Sequence, residues 1–245
     1  MDVLAIIPAR GGSKSIPLKN LVEVGGKPLI AHSIEHALAS KLITRVIVST
    51  DHEQITQTAL AVGAEVPFLR PAEISQDTSV DLELFQHALR WLKKEENYEP
   101  EVIVHLRPTA PYRQPAWIEE AVRLLVDNRE ADSVRSVSPP RAHPYRIFRI
   151  SPEGWLDPIM KHEHPAPHDL LRQDHPPMYH YNCVIDVTRP ATIFDKQSMT
   201  GTKIAPYIMA EDDVFDIDTP RDLELVRFFM ERLRAQEQTP TSARG

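Results

Sequence analysis

The feature that most constrains this chain is a short apolar run, Leu4-Ala5-Ile6-Ile7, that stops at Pro8 and opens into Ala9-Arg10-Gly11-Gly12-Ser13-Lys14-Ser15-Ile16-Pro17-Leu18-Lys19-Asn20. A strand running into adjacent glycines and three cations, Arg10, Lys14 and Lys19, has the composition needed to wrap a polyphosphate. Glycine lets backbone N–H groups approach the phosphate, and the cations neutralise it. The spacing is neither G-x-G-x-x-G nor G-x-x-x-x-G-K-[ST], because Ser13 precedes Lys14, so neither the dinucleotide nor the ATPase fingerprint applies. On composition alone the alternative is a tight turn with solvated cations.

The segments behind this loop alternate between strand and helix patterns, which predicts a parallel sheet covered by helices. Pro28 is placed as a first helical residue, followed by an apolar face of Leu29, Ile30, Ile34, Ala37 and Leu38. Strands are expected at 45–49, 65–69, 102–106, 133–137, 183–187 and 202–209, and helices at 53–61, 80–92 and 116–125. Thr219-Pro220 followed by Asp222 is an N-cap signature for a last helix carrying Leu223, Val226, Met230 and Leu233. From about Gln236 to Gly245 the chain reads as a polar, frayed tail.

Between Pro139 and His180 the character changes, with nine of the 22 prolines and six of the 11 histidines in the chain and little periodicity outside Tyr145 to Ile150. That is long for a structureless loop, so it reads as an arm at about 139–180 with a function or a partner. His162, His164, His168, His175 and His180 suggest Zn²⁺, but a proline-broken loop does not fix ligand geometry and loop histidines are ordinarily just polar. At 245 residues and 42% hydrophobic content, one domain over 1–245 with an elaborated arm is the expectation. A formal net charge of -7 gives no long-range attraction to nucleic acid or an anionic membrane, so an anionic ligand needs a local cation cluster or a metal. The first apolar stretch is too short for a signal or a span, and the single cysteine, Cys183, excludes an internal disulfide; a soluble cytoplasmic protein is expected.

The loop from Ile7 to Asn20 resembles the signature I-P-A-R-x-G-S-K-G-[ILV]-P-x-K-N of the acylneuraminate cytidylyltransferases, with Ser15 in place of a glycine. The resemblance extends over nearly the whole chain and implies an α/β, Rossmann-like nucleotidyltransferase fold: a mostly parallel sheet, helices on both faces, and a dimerisation arm. It implies nucleotide binding by Arg10, Gly11, Gly12, Ser13, Lys14, Lys19 and Asn20. Leu69-Arg70-Pro71 with Asp77-Thr78-Ser79 is similar to the family segment of the base and ribose pocket, which adds Arg70, Asp77 and Ser79. Phe215-Asp216-Ile217-Asp218-Thr219-Pro220 resembles the metal-binding segment, so Asp216 and Asp218 are expected to hold Mg²⁺, with Mn²⁺ as the alternative. Out of context, D-x-D before a helix also fits a helix-dipole role, but two alternate carboxylates suit a hard cation.

Leu106-Arg107-Pro108-Thr109-Ala110-Pro111-Tyr112-Arg113 is similar to the family's L-Q-P-T-S-P-x-R beside the acyl-sugar pocket, with Arg107 for glutamine. Arginine only donates hydrogen bonds and adds charge, so the sugar contact should differ. Arg146 and Arg172 match family positions that reach the sugar carboxylate across a homodimer. Tyr179-His180-Tyr181-Asn182-Cys183 stands for F-R-P-N-G. The sugar-binding set implied is Arg107, Thr109, Arg146, Arg172, His180 and Asn182, and the catalytic set Arg10, Lys19 and Asp218. The implied function is transfer of CMP from CTP to the anomeric 2-hydroxyl of a nonulosonic acid of sialic, legionaminic or pseudaminic type. The rivals are a nucleotidyltransferase with another sugar acid or nucleotide, a D-x-D glycosyltransferase, and a non-catalytic nucleotide-binding or flagellar-assembly protein.

Overall fold

The structure, a computed structural model, describes residues 1–160, 163–164 and 166–238. Its strands are β1 (Val3–Pro8), β2 (Glu23–Val24), β3 (Lys27–Pro28), β4 (Arg45–Ser49), β5 (Val102–His105), β6 (Ser133–Ser138), β7 (Phe148–Ile150), β8 (Leu156–Pro158), β9 (His180–Thr188) and β10 (Ile204–Ile208). Its helices are α1 (Leu29–Ala39), α2 (Glu53–Val62), α3 (Asp81–Glu96), α4 (Pro115–Asp127), α5 (Pro190–Phe194) and α6 (Pro220–Gln238). Six strands form one sheet in the order β10-β6-β9-β5-β1-β4. β1 pairs in parallel with β4 and β5, and β10 pairs in parallel with β6. β9 runs antiparallel between β5 and β6, so the sheet is mostly parallel, as expected.

The near-continuous apolar run of β1 is what a strand covered on both faces requires. Alternate side chains serve opposite layers: Val3, Ala5 and Ile7 pack with Ile30 and Ile34 of α1, Ile55 of α2 and Ile118 of α4. Leu4 and Ile6 pack with Leu84, Phe85 and Leu92 of α3 and Ile193 of α5. A third, smaller cluster joins Ile16 of the loop, Val24, Leu29, Ile217, Leu223 and Val226, and so ties the loop to the start of α6. Thr219 and Asp222 cap that helix reciprocally, the Asp222 N–H donating to Thr219 Oγ1 and the Thr219 N–H to Asp222 Oδ2.

Two local expectations are corrected. Segment 65–69 forms no strand, only isolated bridges of Glu65 with Ile47 and Leu69 with Thr50, because Pro67 has no N–H to continue a ladder. Pro28 is extended, with ψ 143°, and precedes the helix rather than opening it. α6 continues through Gln238, into the segment expected as tail; residues 239–245 lie outside the described residues. The hairpin of β2 and β3 and the five-residue α5 were not anticipated, being too short to carry a period.

The described residues of the segment expected as an arm hold the hairpin β7–β8 and single 3-10 turns at Pro144–Arg146, Pro167–Asp169 and Arg172–Asp174. Its hairpin leaves Ile150, Trp155 and Leu156 largely exposed. Among the described residues no three His, Cys, Asp or Glu side chains converge on a metal position; His162 lies outside them. No helix among the described residues is long and apolar enough to cross a membrane.

His36 on α1 has its Nδ1 buried without a hydrogen-bond partner. Burial, then the nearby Arg113 charge, pull its pKa from 6.5 down to about 3. The unfolded chain therefore binds an extra proton once the pH falls below about 6.5, so folding stability should drop from there toward pH 3 and be unaffected by this group above it. Comparing urea unfolding at pH 7 and pH 5, the wild type should lose about 1–2 kcal/mol more than His36→Gln.

Candidate active site

The carboxyl ends of β1 and β5 open into a cavity of about 460 Å³. This is where ligands sit in open α/β sheets. Of the residues expected to bind nucleotide, Arg10, Gly12, Ser13, Lys14, Lys19, Asn20, Arg70, Asp77 and Ser79 line it, joined by Arg107 and Thr109 from the sugar-binding set. Gly11 lies just behind: its N–H donates to Asp51 at 2.8 Å, and a Cβ there would stand 2.6 Å from the His52 ring. Gly11 is thus required by close approach, whereas Gly12 faces open space. Ser15 is absent from the left-handed residues, so it carries no strain where the resemblance expects glycine; Leu18, with φ 47°, takes the left-handed turn of this loop.

The loop is braced from several directions. Asn20 Nδ2 donates to the Arg10 carbonyl at 3.0 Å. Arg10 and Lys14 each pair with Asp77 at 2.9 Å. Lys19 Nζ donates to the Ile217 carbonyl at 2.7 Å and stands 3.6 Å from Asp218 Oδ1. Arg70 is buried and donates to the hydroxyl and carbonyl of Ser49, so its guanidinium faces inward. Burial lowers its pKa to about 10. Ser79 Oγ accepts from the Gln76 N–H and donates to the Glu73 carbonyl, holding the turn that presents Asp77.

Asp216 and Asp218 flank Ile217, which is fully buried in the third apolar cluster. The Ile217 N–H donates to the Thr109 carbonyl at 2.9 Å, which fastens this segment to the loop after β5. Asp216 hydrogen-bonds the Thr109 side chain; burial, with the neighbouring Asp218 charge, raises its pKa. Two hard oxygen donors kept close at an electrostatic cost, beside a loop of phosphate-binding composition, fit a divalent cation as a partial donor set. Phosphate oxygens and water would complete it.

Arg107 enters a charge cluster that the sequence did not disclose. Its guanidinium bonds Asp186 and Tyr181 and stands 3.0 Å from Asp81 Oδ2. Burial opposes its charge, but Asp186, Tyr181 and Asp81 outweigh that and raise its pKa. Asp186 has no exposed side-chain surface, and it also faces Arg135 at 3.5 Å and His105 at 3.8 Å. His105 is wholly buried, and burial followed by the arginine charges holds it neutral. Arg113 is a strut behind the wall, donating to the Val184 and Arg107 carbonyls and to Ser33 Oγ. Asp81, His105 and Asp186 were missed; the position of His105 at the carboxyl end of a predicted strand was the available signal.

Arg146, His180 and Asn182 of the expected sugar set lie apart from this cavity. His180 Nδ1 bonds the Ser138 carbonyl at 3.0 Å. Asn182 is buried and accepts from Ser136 Oγ at 2.6 Å and the Val184 N–H at 3.2 Å. Arg146 donates to the Leu170 carbonyl at 2.8 Å within the arm. The backbone of Arg172 lies in the turn Arg172–Asp174; its side chain is outside what is described. Cys183 adopts φ 61°, a left-handed position beside the bulge in β9, which accounts for glycine as the family residue there. Burial raises its thiol pKa, so it is no activated nucleophile.

The carboxyl edge of a mostly parallel α/β sheet thus opens into one cavity lined by Arg10, Lys14 and Lys19, with Asp216-Ile217-Asp218 held beside it by Lys19 and Thr109, and the relatives of the chain place it among the nucleotidyltransferases. The cytidylyltransferase family model matches residues 4–150, and the chain belongs to that family. It is 34% identical over 232 residues to CMP-N,N'-diacetyllegionaminic acid synthase of Legionella pneumophila subsp. pneumophila, covering 94% of this chain and 97% of that protein. It is 30% identical to post-translational flagellin modification protein B of Campylobacter coli, over 96% of this chain and 97% of that one. The fold matches a solved structure of CMP:2-keto-3-deoxy-manno-octonic acid synthetase complexed with CTP with a TM-score of 0.70 at 20% identity, covering 97% of this chain and all of that one.

Asp186→Asn would leave Arg107 and Arg135 facing a buried neutral amide. Chemical denaturation should show a loss of about 3 kcal/mol, the cost of breaking a buried ion pair from one side.

Proposed function

We propose that this protein transfers CMP from CTP to the anomeric 2-hydroxyl of a nonulosonic acid, an N-acylated nine-carbon sugar acid of the legionaminic, pseudaminic or sialic type. The observation that carries this reading is Lys19, whose ammonium group lies in the phosphate loop and contacts the Asp216-Ile217-Asp218 segment at two points. Phosphate-binding and cation-binding groups thereby share one centre. The similarity along 97% of the length of a CMP-N,N'-diacetyllegionaminic acid synthase supports the sugar class.

In this reading Arg10, Lys14 and Lys19 contact the β- and γ-phosphates, and Gly11, Gly12, Ser13 and Asn20 shape the backbone around them. Arg70 and Ser79 border the base and ribose. Asp216 and Asp218 would hold Mg²⁺, or Mn²⁺, which when bound would neutralise phosphate charge. The sugar hydroxyl oxygen bonds to the α-phosphorus as the bond to the β-phosphate bridge breaks. Pyrophosphate leaves with the electron pair, and the hydroxyl proton passes to water. The loop cations stabilise charge that grows on the leaving pyrophosphate, so catalysis is positioning and electrostatics without a covalent intermediate.

Arg107 is already balanced by Asp81 and Asp186, so in this reading it offers the sugar hydrogen-bond donors and an ordered wall rather than a free charge. Thr109 stands next to it. Arg146, Arg172, His180 and Asn182 belong to the arm side of the sugar pocket, and the exposed Ile150, Trp155 and Leu156 support pairing of two arms in a homodimer. The glycosyltransferase and non-catalytic readings lose to the family assignment and to the intact loop and aspartate pair.

The test is pyrophosphate release with Mg²⁺, crossing four nucleoside triphosphates with nonulosonic and octulosonic acids. Release should require CTP and a nine-carbon acid, and Asp218→Ala should lower it by about 10²-fold or more with folding retained. Release with an eight-carbon acid alone, or with a preferred nucleotide other than CTP, would overturn the assignment.

A further inference from the structure

Asp77 does not belong to the phosphate loop. It reaches in from the turn before α3 and gives one oxygen to each of two loop cations: Oδ1 stands 2.9 Å from Arg10 Nη2 and Oδ2 stands 2.9 Å from Lys14 Nζ. One anion bridging two cations at that distance is the arrangement that neighbouring phosphate oxygens make with the same donors. The hydrogen bond from Lys14, followed by the charges of Lys14 and Arg10, holds the Asp77 carboxyl below the usual carboxylate range. The other carboxylates nearby are engaged elsewhere, Asp51 with the Gly11 N–H and Asp81 with Arg107. The Asp77 side chain is 40% exposed and that of Lys14 is 79% exposed. Ion pairs so open to water are weak and readily exchanged.

We infer that Asp77 is a positioning residue that takes the place of polyphosphate between Arg10 and Lys14 whenever no nucleotide is bound. It holds Arg10 and Lys14 converged on a single anion, gives them up to the β- and γ-phosphates of the incoming nucleotide, and takes them back as pyrophosphate leaves. The inference rests on reading the cavity as a nucleoside triphosphate site. Two consequences follow from charge exchange. The cations are kept from splaying apart by mutual repulsion, and every polyphosphate, product pyrophosphate included, must displace a carboxylate to bind. Asp77 therefore weakens polyphosphate binding while ordering the loop, and it helps clear the product.

The experiment compares the full chain with Asp77→Asn and Asp77→Ser, both uncharged, and with Asp77→Glu, which keeps the carboxylate. Calorimetry at low ionic strength would use tripolyphosphate, pyrophosphate and cytidine as separate probes. Asp77→Asn and Asp77→Ser should bind both polyphosphates about three- to tenfold tighter than wild type, with the gain shrinking as salt is raised. Asp77→Glu should stay near wild type, and cytidine, which carries no phosphate, should bind all four proteins alike. Pyrophosphate should become a correspondingly stronger product inhibitor of the two uncharged variants. Equal or weaker polyphosphate binding by both uncharged variants would overturn the inference, as would loss of cytidine binding, which would make Asp77 a ribose contact. Tripolyphosphate effects as expected without turnover of CTP would leave this inference standing and sink the assigned function. Turnover of CTP with no Asp77 effect on polyphosphate would do the reverse.

Discussion

The site depends on one buried side chain placed between two charged ones. Ile217 is sealed into the small cluster with Ile16 of the glycine-rich loop after β1 and Leu223 and Val226 of α6. Its N–H is tied to Thr109 and its carbonyl to Lys19. A residue anchored by its side chain and both backbone groups cannot rotate, so its two neighbours must project their carboxylates away from the apolar cluster. Hydrophobic burial, which has no direction of its own, is converted here into the orientation of a polar pair. The same cluster brings loop and α6 together although they lie about two hundred residues apart in the chain.

Around that anchor the charges are balanced locally, which is how a chain with a formal net charge of -7 maintains a cation-rich pocket. Lys19 faces Asp218, Arg10 and Lys14 face Asp77, and Arg107 and Arg135 face Asp186. The pairs differ in depth. Asp186 is sealed and its partners are structural in consequence, because separating a buried pair leaves a desolvated charge behind. Asp77 is open to water, so its pairs break at little cost and its partners stay available to a ligand. The burial of the shared carboxylate, complete at Asp186 and open at Asp77, thus separates the pairing of Arg107 and Arg135 from that of Arg10 and Lys14.

The departures from the family pattern have unequal physical weight. Ser15 is neutral, because its backbone is not left-handed and Leu18 carries that turn instead. Cys183 is costly, because it occupies φ 61° with a side chain attached, a conformation that disfavours L-residues by on the order of 1–2 kcal/mol. Arg107 is compensated, because Asp81 and Asp186 answer its charge.

The sequence by itself determined the architecture and the place of the glycine-rich, cationic loop at the end of the first strand. The apolar run of β1, the amphipathic faces of α1 and α3, the glycine pair with its cations, and the Thr219–Asp222 cap are all local patterns, and local patterns survive being read one residue after another. Only the tertiary structure decided which charges oppose which. No spacing in the chain announces that Asp186 lies against Arg107 or that Asp77 bridges Arg10 and Lys14, since those partners are brought together by β9 entering the sheet antiparallel and by the turn before α3 folding over the loop. The short segments were illegible for a related reason: α5 and the β2–β3 hairpin span too few residues for a period, and Pro67 turned an apparent strand into two isolated bridges. Electrostatic energy depends on distance in space and on burial, and neither quantity exists until the chain has folded.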